Sequence, residues 1–142
     1  MTVEVAVANR SRWQVDAAAV RGTVTGALAA EGVTAGEVGV ALVEPDEMAE
    51  LNGAHRGKPS PTDVLSFPID GLEPLPEGVP RQVGDLVVCP AVAAAEGTPL
   101  EVLLVHGALH LVGYDHEIDD GRMLARQEQL LEEVAPVAAQ PG

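Results

Sequence analysis

Aromatic residues are scarce in this chain: 2% of 142 residues, namely Trp13, Phe67 and Tyr114. A core must therefore be aliphatic, built from Val, Leu and Ala. There is one cysteine, Cys89, so no intramolecular disulfide forms and nothing requires an oxidising compartment. Basic residues are few as well, 8 Lys and Arg against 22 Asp and Glu, for a formal net charge of −14. Surfaces that coat nucleic acid are usually basic overall, and this composition argues against one. No run approaches the roughly 18 to 20 uninterrupted apolar residues of a membrane-spanning helix. The opening MTVEVAVANR also lacks the charged start and apolar stretch of a signal peptide. What is present is 46% hydrophobic and 21% charged residues, enough apolar material to exclude wholesale disorder. The length suits a single domain, 1–142, and the expectation is an acidic cytoplasmic protein.

Periodicity gives a coarse map. Thr2 to Ala8 alternates as a strand, and Gln14 to Glu31 reads as a helix with Asp16 as N-cap and Gly32 at its C-terminal end. Val38 to Val43 is a second strand, followed by a short helix opened by Pro45 and Asp46 and ending by Gly53. His55 to Pro61 is turn-rich and carries Arg56 and Lys58. Thr62 to Ile69 reads as a third strand, Asp70 to Val83 as a proline- and glycine-rich loop, and Asp85 to Cys89 as a fourth, buried strand. Thr98-Pro99-Leu100-Glu101 has the capping-box pattern, and a helix from Pro99 to Val112 follows. Asp119 or Asp120 can cap a last helix with Met123, Leu130, Leu131 and Val134 as its apolar stripe. The tail after Pro136 is expected to fray. Strands interspersed early and helices late indicate an α+β fold with one main sheet.

Three of the four histidines fall in one 11-residue segment, HGALHLVGYDH. His106 and His110 stand one helical turn apart on one face. Gly113 permits a sharp reversal, which brings His116 opposite them. Three neutral imidazoles with an open fourth position is the donor set of a catalytic zinc site. The spacing H-x-x-x-H-x-x-G-x-x-H is that of the metzincin proteases. Those enzymes place a general-base Glu directly after the first His, where this chain has Gly107. Glycine cannot abstract a proton, so the ligand geometry is expected without the protease mechanism.

This segment resembles the signature of the YbeY family of rRNA maturation factors, zinc-dependent endoribonucleases of bacteria. Pro61-Thr62-Asp63-Val64-Leu65-Ser66-Phe67-Pro68 is similar to a second motif of that family, as are Gly84-Asp85-Leu86-Val87-Val88 and Leu51-Asn52 followed by Arg56. The resemblance implies a zincin-like α+β domain with a mixed four-stranded sheet and the metal site on the penultimate helix. It implies one zinc ion per chain on His106, His110 and His116, with Arg56 acting near the metal. It further implies cleavage of single-stranded RNA in small-subunit rRNA end maturation and ribosome quality control. Partners would be rRNA and the small ribosomal subunit or a protein or GTPase associated with it, not DNA or a membrane. Two features depart from the family: the segment between Cys89 and His106 is short, so a helix around Ala91 to Glu96 would be stunted, and His55 stands where an aromatic residue often precedes the arginine.

Hydrolysis of RNA on zinc needs a polarised phosphate, a nucleophile and stabilisation of developing charge. The expected catalytic residues are His110, through the metal, and Arg56, whose planar fork of donors suits a phosphate. Asp63, Asp85, Asp115 and Glu117 are candidate bases, none singled out by spacing, and Ser66 is a candidate phosphate donor. Asp115 could instead orient a ligand imidazole or close a turn. Cys89, on a buried strand, is expected to act as a small hydrophobe and not as a fourth ligand. Two other readings stand beside the nuclease: a non-enzymatic ribosome assembly factor with a structural zinc, and a metal-dependent hydrolase of non-RNA substrates.

Overall fold

The computed structural model describes residues 2–142. The chain begins with strand β1 (Val3–Asn9), a short strand β2 (Trp13–Val15), helix α1 (Ala17–Ala30) and strand β3 (Gly36–Leu42). Helix α2 (Pro45–Arg56) leads to strands β4 (Val64–Pro68) and β5 (Gln82–Val88). Helices α3 (Pro90–Glu96), α4 (Leu100–Leu111) and α5 (Arg122–Leu131) follow, and strand β6 (Ala139–Pro141) closes the chain. Four strands form a mixed sheet in the order β1-β3-β5-β4. Strands β1, β3 and β5 are parallel, and β4 runs antiparallel to β5 at the edge. This is the α+β architecture the sequence and its resemblance indicate.

Alternation along β5 sorts the two faces of the sheet. Leu86 and Val88 join the main core with α1 and α4, while Val87 joins a smaller cluster with Val43, Met48, Leu65 and Cys89. Helix α4 is the centre of the main core, with α1, α5, β4 and β5 all packed on it. Leu103, Leu104, Gly107, Ala108 and Leu111 are buried in those contacts, while His106 and His110 are only half-buried. Helix and sheet approach so closely at Gly107 that a Cβ there would stand 2.7 Å from Leu86 Cδ2 and 3.3 Å from Ser66 Oγ. No single helix among the described residues is long and apolar enough to cross a membrane.

Several boundaries differ from the sequence reading, each for a contact that local pattern does not contain. The helix expected from Gln14 starts at Ala17, because Trp13–Val15 pairs with Ala139–Pro141 as a two-stranded ribbon. Asp16 is its N-cap as expected, accepting from the Ala19 amide at 3.1 Å. The tail therefore does not fray: it pairs, and Val137 is buried. The capping box at Thr98 is not made. Thr98 N–H instead donates to Ala93 O in closing α3, Pro99 becomes the N-cap of α4, and Glu101 accepts from the Val137 amide at 3.1 Å. Helix α2 runs past Gly53 to Arg56, with Gly53 packed on Pro59 and the left-handed turn taken at Gly57 (φ 71°). The fourth strand starts at Gln82, three residues before the expected Asp85. Helix α3 does form, with 7 residues making about two turns. Gly121 is the N-cap of α5, although the Asp119 carboxylate accepts from the amides of Gly121 and Met123.

Candidate metal centre

His106 and His110 lie one turn apart on α4, both half-buried, on the side that lines the cleft. The helix ends in a Schellman motif: Gly113 N–H donates to His110 O and Tyr114 N–H to Leu109 O, each at 3.1 Å. This requires Gly113 in the left-handed region, at φ 104°, where a side chain would be strained. The returning chain places His116 against the other two rings. Ring centroids are 4.8 Å apart for His106–His110, 5.1 Å for His106–His116 and 5.2 Å for His110–His116. One nitrogen from each ring can be chosen so that all three lie within 4.8 Å of one another, which positions them to bind a metal ion.

Hydrogen bonds fix which nitrogens are free. His106 Nδ1–H donates to Gln127 Oε1 at 2.7 Å, and His110 Nδ1–H donates to the Tyr114 carbonyl at 2.9 Å. Each ring thereby keeps Nε2 as a lone-pair donor, the arrangement that orients metal-ligating histidines. Burial, and then the neighbouring His106, hold the His110 pKa below its ordinary 6.5, with the Tyr114 carbonyl opposing them. The neutral, ligating form is favoured. Glu31, beside the Tyr114 hydroxyl, raises its pKa and also takes Arg126 Nε at 2.7 Å, so the base of the loop stands against the ion pair that joins α1 to α5.

The three rings stand in a cleft of about 600 Å³ that Arg56, Asp63, Ser66, Asp115 and Glu117 also line. Arg56, at the end of α2, meets Glu117 across it at 3.7 Å, with both side chains more than half exposed. The remaining candidates are otherwise engaged. Asp115 accepts from the Glu117 amide and so closes the turn; it does not hold an imidazole. Asp63 accepts from the Val64 amide at the start of β4 and faces Glu96, whose pKa is raised by burial and by that carboxylate. Asp85 alternates with Leu86 and points away from α4, its carboxylate lying over Gly39 of the neighbouring strand. Ser66 donates to Gly107 O at 3.4 Å. Cys89 is fully buried and its thiol pKa is pushed up by that burial, as expected of a small hydrophobe.

The family model described as Endoribonuclease YbeY matches residues 6–135. The chain belongs to the YbeY family. Curated relatives of the same description include those of Mycobacterium sp. (strain KMS), 44% identical, and Acidothermus cellulolyticus, 43% identical. The first alignment covers 70% of this chain and 64% of the relative, the second 67% and 68%. The chain thus spans about 64% of the length of the mycobacterial relatives it matches. A solution structure of a Thermotoga maritima protein is similar at a TM-score of 0.57 and 30% identity, over 92% of this chain and 88% of that one.

Within this YbeY fold, the sequence reading missed Gln127. It stands on α5, 21 residues from the ring it holds, and an amide on a polar helix face carries no local signal. Gly107, in contrast, gains a reason. The position that bears the base in metzincins is here packed against the sheet, where a Cβ would run into Leu86 and Ser66, so any side chain has to displace a packed neighbour.

Proposed function

We propose that the chain is a zinc-dependent endoribonuclease that cuts single-stranded RNA, with His106, His110 and His116 holding one zinc ion. The observation that carries this is the convergence of three imidazoles in an open cleft with an arginine on its rim. Three nitrogen donors, two with Nδ1 committed as N–H donors, are the chemistry zinc takes at catalytic sites. A structural zinc is closed by four protein ligands; among the described residues the converging donors number three, which supports the catalytic reading. The family name supports RNA as substrate. The buried, featureless Gly107 argues against peptide hydrolysis by the zincin route.

When bound, zinc supplies Lewis acidity, polarising phosphoryl oxygen and lowering the pKa of water to about 7. The chain's own residues do the rest. Gln127 and the Tyr114 carbonyl hold two ligand rings in one tautomer and one orientation. Arg56 presents a fork of donors to a phosphate in the cleft and offsets charge as it develops. To do so it must exchange Glu117 for the phosphate, a small cost for a pair so exposed. The reading extends to end maturation of small-subunit rRNA and to ribosome quality control in the cytoplasm. A body of charge −14 gathers little RNA by itself, so a ribosomal or GTPase partner would deliver the substrate.

The test measures RNA cleavage and zinc content together. His110→Ala should lose both. Arg56→Ala should keep zinc and lose about 10²- to 10³-fold in cleavage, the usual loss when one charge-stabilising donor is removed. Near-normal cleavage by Arg56→Ala would take it out of the mechanism, and full activity in metal-free His110→Ala would end the zinc reading. Binding of single-stranded RNA should depend only shallowly on salt, because each phosphate contact adds about −0.7 to the log–log slope and few are available.

A further inference from the structure

The chain has three aromatic residues, and two of them, Phe67 and Tyr114, stand at or just behind the metal cleft. A further ring joins them. His55, in the last turn of α2, is exposed and lines the cleft directly before Arg56. Behind it lies Phe67, with ring centroids 4.4 Å apart and planes inclined at 49°. Phe67 is itself packed against the cluster of Val43, Met48, Leu65, Val87 and Cys89, so His55 has a fixed apolar backing and a free outer surface.

The charge of the cleft gives such a ring a task. Arg56 is the one Lys or Arg among the residues lining it, against Asp63, Asp115 and Glu117. Phosphate contacts therefore supply little of the hold on a nucleic acid strand, and some other attraction must place it. An aromatic ring beside an arginine offers a nucleobase a stacking surface next to the donor for its phosphate. Inside a duplex both faces of a base are covered by its neighbours, so only an unpaired base can use the ring.

We propose that the His55 ring, backed by Phe67, seats one unpaired nucleobase of an RNA strand whose adjacent phosphate is held by Arg56. This rests on the endoribonuclease reading above, and it supplies a physical basis for single-strand selectivity. The test is fluorescence anisotropy of zinc-loaded protein with labelled 2′-O-methyl hexa-adenylate, which resists cleavage. His55→Ala should weaken binding about 5- to 100-fold, the usual effect of removing one stacked base, with zinc content and melting temperature unchanged. His55→Tyr should restore it. Of strands carrying one abasic position in turn, one should bind the wild type as weakly as intact strand binds His55→Ala, and lose nothing further on that variant. Wild-type affinity in His55→Ala, with binding lost in Arg56→Ala, overturns the stacking seat and leaves the nuclease standing. A wild-type protein that neither binds the strand nor cuts its unmodified counterpart overturns both, and one that cuts it without measurable binding overturns the stacking seat alone.

Discussion

The two halves of the histidine segment are built differently. His106 and His110 sit on a helix packed by the sheet and two other helices, half-buried, each with Nδ1 held by a fixed acceptor. His116 lies on the loop beyond Gly113, exposed, and among the described residues nothing hydrogen-bonds its ring. Two donors are thus positioned by folding itself, and the third by a tether anchored at Tyr114. The difference separates the chain's tasks. The helical half gives precision, and the loop half gives access, since rigid enclosure on all sides would shut the cleft to a polymer.

The largest effect should come from breaking the helical half where it is tightest. Gly107→Glu would force a carboxylate against the fully buried Leu86 with no partner, a cost of several kcal/mol. The expected outcome is loss of cooperative unfolding in urea, with no gain of peptidase activity. Gly107→Ala sets overpacking of about 1–3 kcal/mol against about 1 kcal/mol of helix propensity, so a loss of up to about 2 kcal/mol is expected. A stable Gly107→Glu protein would mean that α4 can lift from the sheet, and the contrast between the halves would fall.

A smaller effect tests whether packing or hydrogen bonding positions His106. Gln127→Ala should lower zinc affinity about 10- to 100-fold, read by competition with a chromophoric chelator, and Gln127→Glu should keep most of it because an acceptor remains. An unchanged affinity in Gln127→Ala would assign the ring's orientation to packing alone.

Gln127 also marks where sequence stops being informative. The histidine triad is legible because helical spacing and one glycine are local, and local geometry follows from the chain's own stereochemistry. The strands and helices that carry continuous Val and Leu runs are legible for the same reason. The ribbon of Trp13–Val15 and Ala139–Pro141 is not, since its strands are short and joined only through the whole fold. The Thr98 capping box is misleading in a related way. Its Thr and Glu are real cap formers, but closure of α3 takes the Thr98 amide and the Val137 amide takes Glu101. Asp115 and Asp63 show the same limit at the site: carboxylates within the motifs turn out to serve backbone amides.

Acid should weaken the helical half in a defined direction. Burial holds the His110 pKa in the folded, metal-free protein below the 6.5 of the unfolded chain. Above about pH 6.5 the ring is neutral in both states and its contribution is complete. As pH falls below that, the unfolded chain takes up the proton first and stability declines, by at most about 1.4 kcal/mol per pH unit for one proton, levelling off below the folded pKa. Urea titrations at pH 7.5, 6.5 and 5.5 on wild type and His110→Asn isolate this part, since the variant should lack it. Equal pH dependence in both proteins would show that burial does not disfavour the charged form of this ring.

The smallest expected effect lies in the loop half and concerns Glu117. Its contact with Arg56 is long, 3.7 Å, and the two side chains are 64% and 51% exposed, so Glu117→Gln should change stability by less than about 0.5 kcal/mol. Binding should respond more than stability does, because the same arginine is the one proposed to hold phosphate. Removing the carboxylate frees that guanidinium and takes one negative charge from the cleft. Affinity for single-stranded RNA should rise about 2- to 5-fold, the scale of an exposed ion pair, and the gain should shrink as salt screens it. A gain that vanishes in the Arg56→Ala background places the competition at this pair. A gain that persists there assigns it to the general negative charge of the cleft, and Arg56 would then have no rival for its phosphate.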